Sequence, residues 1–204
     1  MMLRWIDIHC STKSSRSSFM DLRKYVLFVN DDYYIDIERL VNYLQEIDND
    51  PQMTTYERRI FTTGQLIEKS RPERFVNNRW YISLVDYPYN EYPPYLSTEC
   101  FLMTRYSARL FYLGSKYTRI FPFDHVYLGL IAHSMSVQFI QNNELFSTSL
   151  THMGDLPSRW QRFFHGNNQI NSTKKSICYR GYSREKLIQL WNDLHQNNVS
   201  LSFS

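Results

Sequence analysis

The sequence predicts an α/β domain, on three observations. Short apolar and aromatic runs alternate with amphipathic stretches of helical period, and nothing repeats internally. The 204 residues are 43% hydrophobic and 21% charged, ordinary usage for a chain that buries one substantial core. One apolar run, Tyr25 to Val29, stops at Asn30-Asp31-Asp32, and open α/β sheets place their ligands beyond the carboxyl ends of strands.

The elements follow in order. Residues 1–23 read as an irregular start, with "STKSSRSS" (Ser11 to Ser18) as a loop or insertion. "YVLFV" is a buried strand. From Asp36, "DIERLVNYLQEI" sets Ile37, Leu40, Val41, Tyr43, Leu44 and Ile47 near one helical stripe, with Asp36 as N-cap. "RWYISLV" (Arg79 to Val85) reads as a strand, and the prolines of "DYPYNEYPPY" (Asp86 to Tyr95) forbid regular structure. "CFLMT" (Cys100 to Thr104) is a short strand, and "RYSARLFYLGSKY" after it a helix that Gly114 weakens. Asp124 to Met135 reads as helix, "VQFI" (Val137 to Ile140) as strand, and Ser183 to Asn197 as a closing amphipathic helix capped by Ser183. Together these make one domain over 1–204, with a motif-bearing core at 24–147 and a C-terminal region at 148–204.

Bulk properties exclude some classes. Net charge is +3 and the basic residues are scattered apart from Lys174-Lys175, unlike a dedicated nucleic-acid surface. No apolar run approaches the roughly 20 residues that cross a bilayer. Three cysteines, Cys10, Cys100 and Cys178, show no metal-ligand spacing and cannot all pair within the chain.

Three stretches can carry chemistry. Adjacent carboxylates at Asp31 and Asp32 repel unless a cation or donors compensate; a hard divalent ion bridging to a diphosphate is one solution, and a solvated turn is the plain alternative. Asp124 and His125 stand where a helix begins, suited to removing a proton from a hydroxyl or simply to capping. The Trp- and Tyr-rich run from Arg79 to Cys100 is either core plus rigid loop or a shaped wall for a sugar.

Taken in order, "YVLFVNDDYYI", "RWYIS", "YPPYLSTECFLMT" and "FDHVYLGL" resemble the successive motifs of the β-1,3-galactosyltransferase family, which includes β-1,3-N-acetylglucosaminyltransferases and is related to Fringe. The likeness covers most of residues 4–147, with "RWIDIHC" (Arg4 to Cys10) similar to the segment that precedes the family's metal motif. It implies a GT-A-like, Rossmann-like nucleotide-sugar-binding fold, incomplete at its N-terminus. It also implies transfer of galactose or N-acetylglucosamine from a UDP-sugar, with inversion, to the 3-hydroxyl of an acceptor glycan on protein or lipid.

By the same resemblance, Asp32 with Asn30 holds Mn²⁺ (or Mg²⁺), and Asn30, Asp31 and Asp32 face the nucleotide-sugar. Asp124 and His125 take the place of the catalytic base, and Arg79, Trp80, Tyr95, Thr98 and Glu99 line the substrate. The implied partners are UDP-galactose or UDP-N-acetylglucosamine and the acceptor, with no nucleic acid. The implied location is the luminal side of the Golgi membrane, through an anchor missing from this chain. In such an oxidising lumen Cys100 and Cys178 could bridge, leaving Cys10 free; the pairing stays open.

The chain departs from the family pattern at three places. Asn30 replaces an aspartate, His125 stands where the family has Asp, and Thr98-Glu99 replaces small, Gly-rich sequence that lets backbone approach a ligand. These changes motivate an alternative, a catalytically degenerate member that binds a sugar or a partner.

Overall fold

The computed structural model describes residues 2–9, 24–146 and 176–180, with Glu185 and Ile188 in helical conformation. The elements are α1 (Met2–His9), β1 (Tyr25–Val29), β2 (Tyr33–Ile35), α2 (Ile37–Asn49), α3 (Thr55–Arg59) and β3 (Thr62–Ile67). β4 (Tyr95–Thr104), α4 (Arg105–Ser115), α5 (Asp124–Ser134), β5 (Ile140–Gln141) and β6 (Cys178–Arg180) follow. The expected C-terminal helix lies almost wholly outside the described residues.

The main sheet has the order β1-β4-β3-β5, and β2 pairs with β6 in a separate ribbon. β1 and β3 both run antiparallel to β4, while β5 is parallel to β3. The α/β composition expected from sequence is therefore assembled as a mixed sheet rather than a parallel one.

β4 is the central strand, and its second half alternates between two cores. Cys100 and Leu102 face Tyr25, Leu44, Ile47, Phe61 and Phe146, the layer built on α2. Phe101 and Met103 face Ile6 and Ala108, the layer of α1 and α4. Period-2 alternation between two apolar faces is what a strand buried on both sides requires. The strands crowd at Gly64, where a Cβ would lie 2.9 Å from the Phe101 Cβ, so a side chain there would push β3 off β4.

Local signals account for the helices. The Asp36 carboxylate accepts the Arg39 N–H at 3.0 Å, which caps α2 as expected. α3 begins with a capping box, Thr54 taking the Glu57 N–H and Glu57 returning a bond to the Thr54 N–H. Thr104 ends β4 and caps α4, accepting from the Ser107 N–H at 3.1 Å.

Four expectations are corrected. The start of the chain is not irregular throughout: Met2–His9 form a helix because Leu3 and Ile6 find an apolar seat against α4 and β4. "RWYISLV" is not a strand; residues 79–85 fold as turns, and only Tyr81 makes an isolated bridge, to Glu73. Its β-like composition is spent on a wall of side chains, with Ile82 buried beside Tyr87, Tyr92 and Tyr95. Conversely, the strand expected at Cys100–Thr104 begins five residues earlier, at Tyr95, immediately after the prolines. "VQFI" contributes only Ile140 to a two-residue strand.

Candidate functional site

β1 ends at Val29, and Asn30, Asp31 and Asp32 make the turn into β2. Asn30 and Asp31 are exposed and Asp32 is half-buried. Two attachments hold this tip. The Asn30 N–H donates to the Glu99 carbonyl at 3.1 Å, and the Tyr33 hydroxyl donates to the Glu99 carboxylate at 2.8 Å. On the far side, β2 pairs with β6, bringing Ile35 opposite Cys178. Cys178 is disulfide-bonded to Cys100, 6.5 Å away between Cα atoms, so the strand before the turn and the strand after it are tied to the same point of β4.

Beside the tip, β4 leaves its register. Gly64 pairs with Phe101 and Leu66 with Leu96, so one residue of β3 faces four of β4, Ser97 to Cys100. Thr98 and Glu99 lie in this bulge, where the peptide is free of β3 and can be re-aimed.

The other candidate groups gather at the start of β4. A cavity of about 310 Å³ is lined by Ser70, Glu73, Trp80, Tyr95, Phe123 and His125, among others. The His125 ring lies 5.2 Å from the Tyr95 ring, 5.7 Å from Trp80, and stacks on Phe123 at 6.2 Å. Gly129, one turn along α5, explains the close approach: a Cβ there would meet the Tyr95 Cβ at 2.7 Å and the Pro94 carbonyl at 2.9 Å. Without a side chain at that position, α5 settles onto β4 and carries His125 into the cavity.

Asp124 and His125 face different surroundings. The His125 side chain is 24% exposed and the Asp124 side chain 80%. The Asp124 carboxylate accepts the His125 N–H at 2.8 Å and lies 3.1 Å from His125 Nδ1. A proton on Nδ1 would be held by Asp124, leaving Nε2 as the basic nitrogen.

The aromatic wall is fixed by a residue that sequence reading passed over. Arg74 donates to the carbonyls of Ile82, Tyr87 and Tyr89 at 2.8, 2.8 and 2.9 Å, gathering the proline-rich segment onto one guanidinium. A lone arginine carries no local signal of that role. Trp80 packs edge-on against Phe123 at 5.3 Å, and the exposed Arg79 lies over the Trp80 ring at 4.4 Å.

The proposed residues thus fall into two groups, Asn30, Asp31, Asp32, Thr98 and Glu99 at the tip, and Trp80, Tyr95 and His125 in the cavity. Tyr95 and Glu99 are four residues apart on β4, roughly 13 Å if extended. Arg79 and Asp124 border the second group from outside.

Does the tip suit a divalent cation? Among the described residues no three His, Cys, Asp or Glu side chains converge on a point that could hold one. The tip supplies two carboxylates and an amide oxygen, all hard donors. That set suits Mg²⁺ or Mn²⁺ when phosphate oxygens and water complete the shell, and suits no ion held by protein alone.

Comparison with known proteins bears on this geometry. Residues 14–143 match the family model described as Galactosyltransferase. The chain is 26% identical over 199 residues to the Drosophila melanogaster β-1,3-galactosyltransferase brn, covering 97% of this chain and 52% of that protein. It is 24% identical over 194 residues to human β-1,3-galactosyltransferase 1, covering 95% and 49%. A rat UDP-GlcNAc:betaGal β-1,3-N-acetylglucosaminyltransferase 7 matches at 27% over 136 residues, 67% of this chain and 30% of that protein. The chain therefore spans about half the length of the galactosyltransferases it matches. With a family match across most of the described core, this chain belongs to the galactosyltransferase family.

Proposed function

We propose that this chain is one partial catalytic domain, over 1–204, of a GT-A-like, inverting β-1,3-hexosyltransferase that takes galactose or N-acetylglucosamine from a UDP-sugar. One observation carries the reading: β4 bears Glu99 against the Asn30-Asp31-Asp32 tip and Tyr95 against His125, so a single strand spaces a diphosphate-binding end from a basic nitrogen.

The tip holds the UDP end, with Asp32 and Asn30 toward the cation and Asp31 toward ribose and sugar. A bound Mn²⁺ or Mg²⁺ would neutralise the charge that builds on the departing diphosphate. The acceptor sugar stacks on the exposed Trp80, with the buried Tyr95 backing His125 and with Arg79, Thr98 and Glu99 at the margin. Its 3-hydroxyl oxygen attacks the anomeric carbon from the face opposite UDP. The bond to the UDP oxygen breaks, UDP keeps the electron pair, and the hydroxyl proton passes to His125 Nε2. Asp124 positions the imidazole and stabilises the imidazolium that forms. Among the described residues no helix is long and apolar enough to cross a membrane. We place the protein on the luminal side of the Golgi membrane, where an oxidising environment suits the Cys100–Cys178 bridge.

Calorimetry tests the donor half. UDP should bind with Mn²⁺ present, bind at least tenfold more weakly in EDTA, and lose the Mn²⁺ effect in Asp32→Asn. Wild-type binding that ignores Mn²⁺ would sink the metal-bridged reading.

A second reading, a degenerate member that binds without turnover, is favoured by one feature: Asp124 is turned to solvent and leaves the base position to an imidazole. Transfer measured in wild type and His125→Asp separates the two. Loss of activity in the variant supports His125 as working base, and a gain supports degeneracy.

A further inference from the structure

At the opposite end of β1 from the tip, a cavity of about 390 Å³ is lined by Lys24, Arg58, Arg59, Thr104, Arg105, Tyr106 and Arg109. Among the described residues that line it, five of seven are cationic and none is acidic. They come from three separate places: the residue before β1, the last turn of α3 and the first two turns of α4. In a chain of net charge +3, such convergence is held against mutual repulsion. The fold adds to it, because α4 points its N-terminal, positive end at the cavity and has no acidic residue in its first turn.

Part of this charge is met by internal partners. Lys24 pairs with Asp48, which does not line the cavity. The Arg59 guanidinium lies 4.0 Å over the Tyr106 ring, at an exposed position. Arg58 donates to the Asp50 carbonyl, yet its Nε is buried without a hydrogen-bond partner. Arg105 and Arg109 each engage another group of the protein. Five cationic side chains brought from three parts of the chain, with the exposed Arg59 among them, make a surface whose charge a multivalent oxyanion would balance.

We propose that this cavity binds a phosphate-bearing anion, without a metal ion, at a site separate from the Asn30-Asp31-Asp32 tip. The two lie at either end of β1, roughly 20 Å apart at strand rise. No cation is needed, because the protein supplies the positive charge itself. The volume suits a diphosphate or a phosphorylated headgroup rather than a nucleotide-sugar.

The probe is inorganic pyrophosphate, titrated calorimetrically into the 204-residue chain in EDTA at low salt. Binding is expected in wild type, unchanged in Asp32→Asn, and weakened at least tenfold in the Arg59→Gln/Arg109→Gln double variant. Arg109→Lys, which keeps the charge, should retain most of it. A thermal melt of the double variant confirms that it is folded, and Arg59→Gln alone, at an exposed position, provides a milder second variant. Affinity should fall as salt is raised to about 0.15 M. Absence of binding in EDTA, or binding indifferent to Arg59 and Arg109, overturns the proposal. So does binding lost in Asp32→Asn, which would place the anion at the tip. Vesicles of phosphatidylcholine with and without phosphatidylinositol 4-phosphate then separate the sources: phosphoinositide-dependent sedimentation, lost in the double variant, identifies a lipid headgroup, and its absence beside pyrophosphate binding identifies a free anion. UDP binding that needs Mn²⁺ and Asp32 stands or falls independently.

Discussion

The two halves of β4 are built to opposite rules. From Cys100 to Met103 every residue is buried, in register with β1 and packed alternately into two cores. From Ser97 to Glu99 the strand leaves β3, its side chains are half-buried, and Glu99 meets the tip through its carbonyl and its carboxylate. One strand thus supplies both the anchor of the sheet and the spacer of the candidate site. Tight packing tolerates no re-aiming of a peptide, whereas a bulge gives up ladder bonds to gain it.

The disulfide is where the comparison can be broken hardest, since it joins the last bulge residue to the ribbon beyond the tip. The Cys100→Ala/Cys178→Ala variant should lose about 4.5 kcal/mol by loop-closure entropy over a separation of 78 residues. Denaturant unfolding without reductant measures it. UDP affinity should fall with it, because β2 loses its covalent tie to β4 through β6. Unchanged UDP binding would mean the tip does not depend on that tie.

Next come paired truncations in the two halves. Leu102→Ala should cost about 2–5 kcal/mol, as for a fully buried leucine, with little effect on UDP affinity once folded. Thr98→Ala should stay within about 0.5 kcal/mol, and any change should show in binding instead. Equal stability losses at both positions would erase the distinction.

Gly129→Ala sharpens the picture at the start of β4. The new methyl meets Tyr95 and the Pro94 carbonyl, so α5 must shift, at about 1–3 kcal/mol. Transfer activity should drop more than UDP affinity, because His125 moves and the tip does not.

The smallest effect is alkaline. Burial without a hydrogen-bond partner pushes the Tyr92 phenol up to about 12, above its ordinary value near 10. The folded state favours the neutral phenol, so this contribution is complete below about pH 10 and is lost as pH rises through 12. Burial and the Asp48 hydrogen bond raise Tyr25 further in the same direction. A stability profile over that range should decline in wild type and decline less steeply in Tyr92→Phe.

Parts of this were legible in the chain. Asp36 as cap, the stripe of α2, the helices after Thr104 and from Asp124, and the strand ending at Asn30 all rest on residues within a few positions of each other. The Thr54-x-x-Glu57 box announces α3 equally locally, although only the structure drew attention to it. The aromatic segment at 79–85 misleads for the opposite reason: its β-like composition reflects burial against Tyr87 and Tyr92, which no local pattern reveals.

What the sequence determined by itself is the list of chemical groups and the local elements that carry them, because caps, helical stripes and strand alternation act over a turn or two. Only the tertiary structure decided which groups meet. It turned Asp124 outward and His125 inward, set Glu99 against the tip, chose Cys178 as the partner of Cys100, and gathered five scattered cations into one cavity. Those outcomes depend on how α5, β4 and α3 pack across tens of residues, a long-range compromise between burial and charge that no short window of sequence contains.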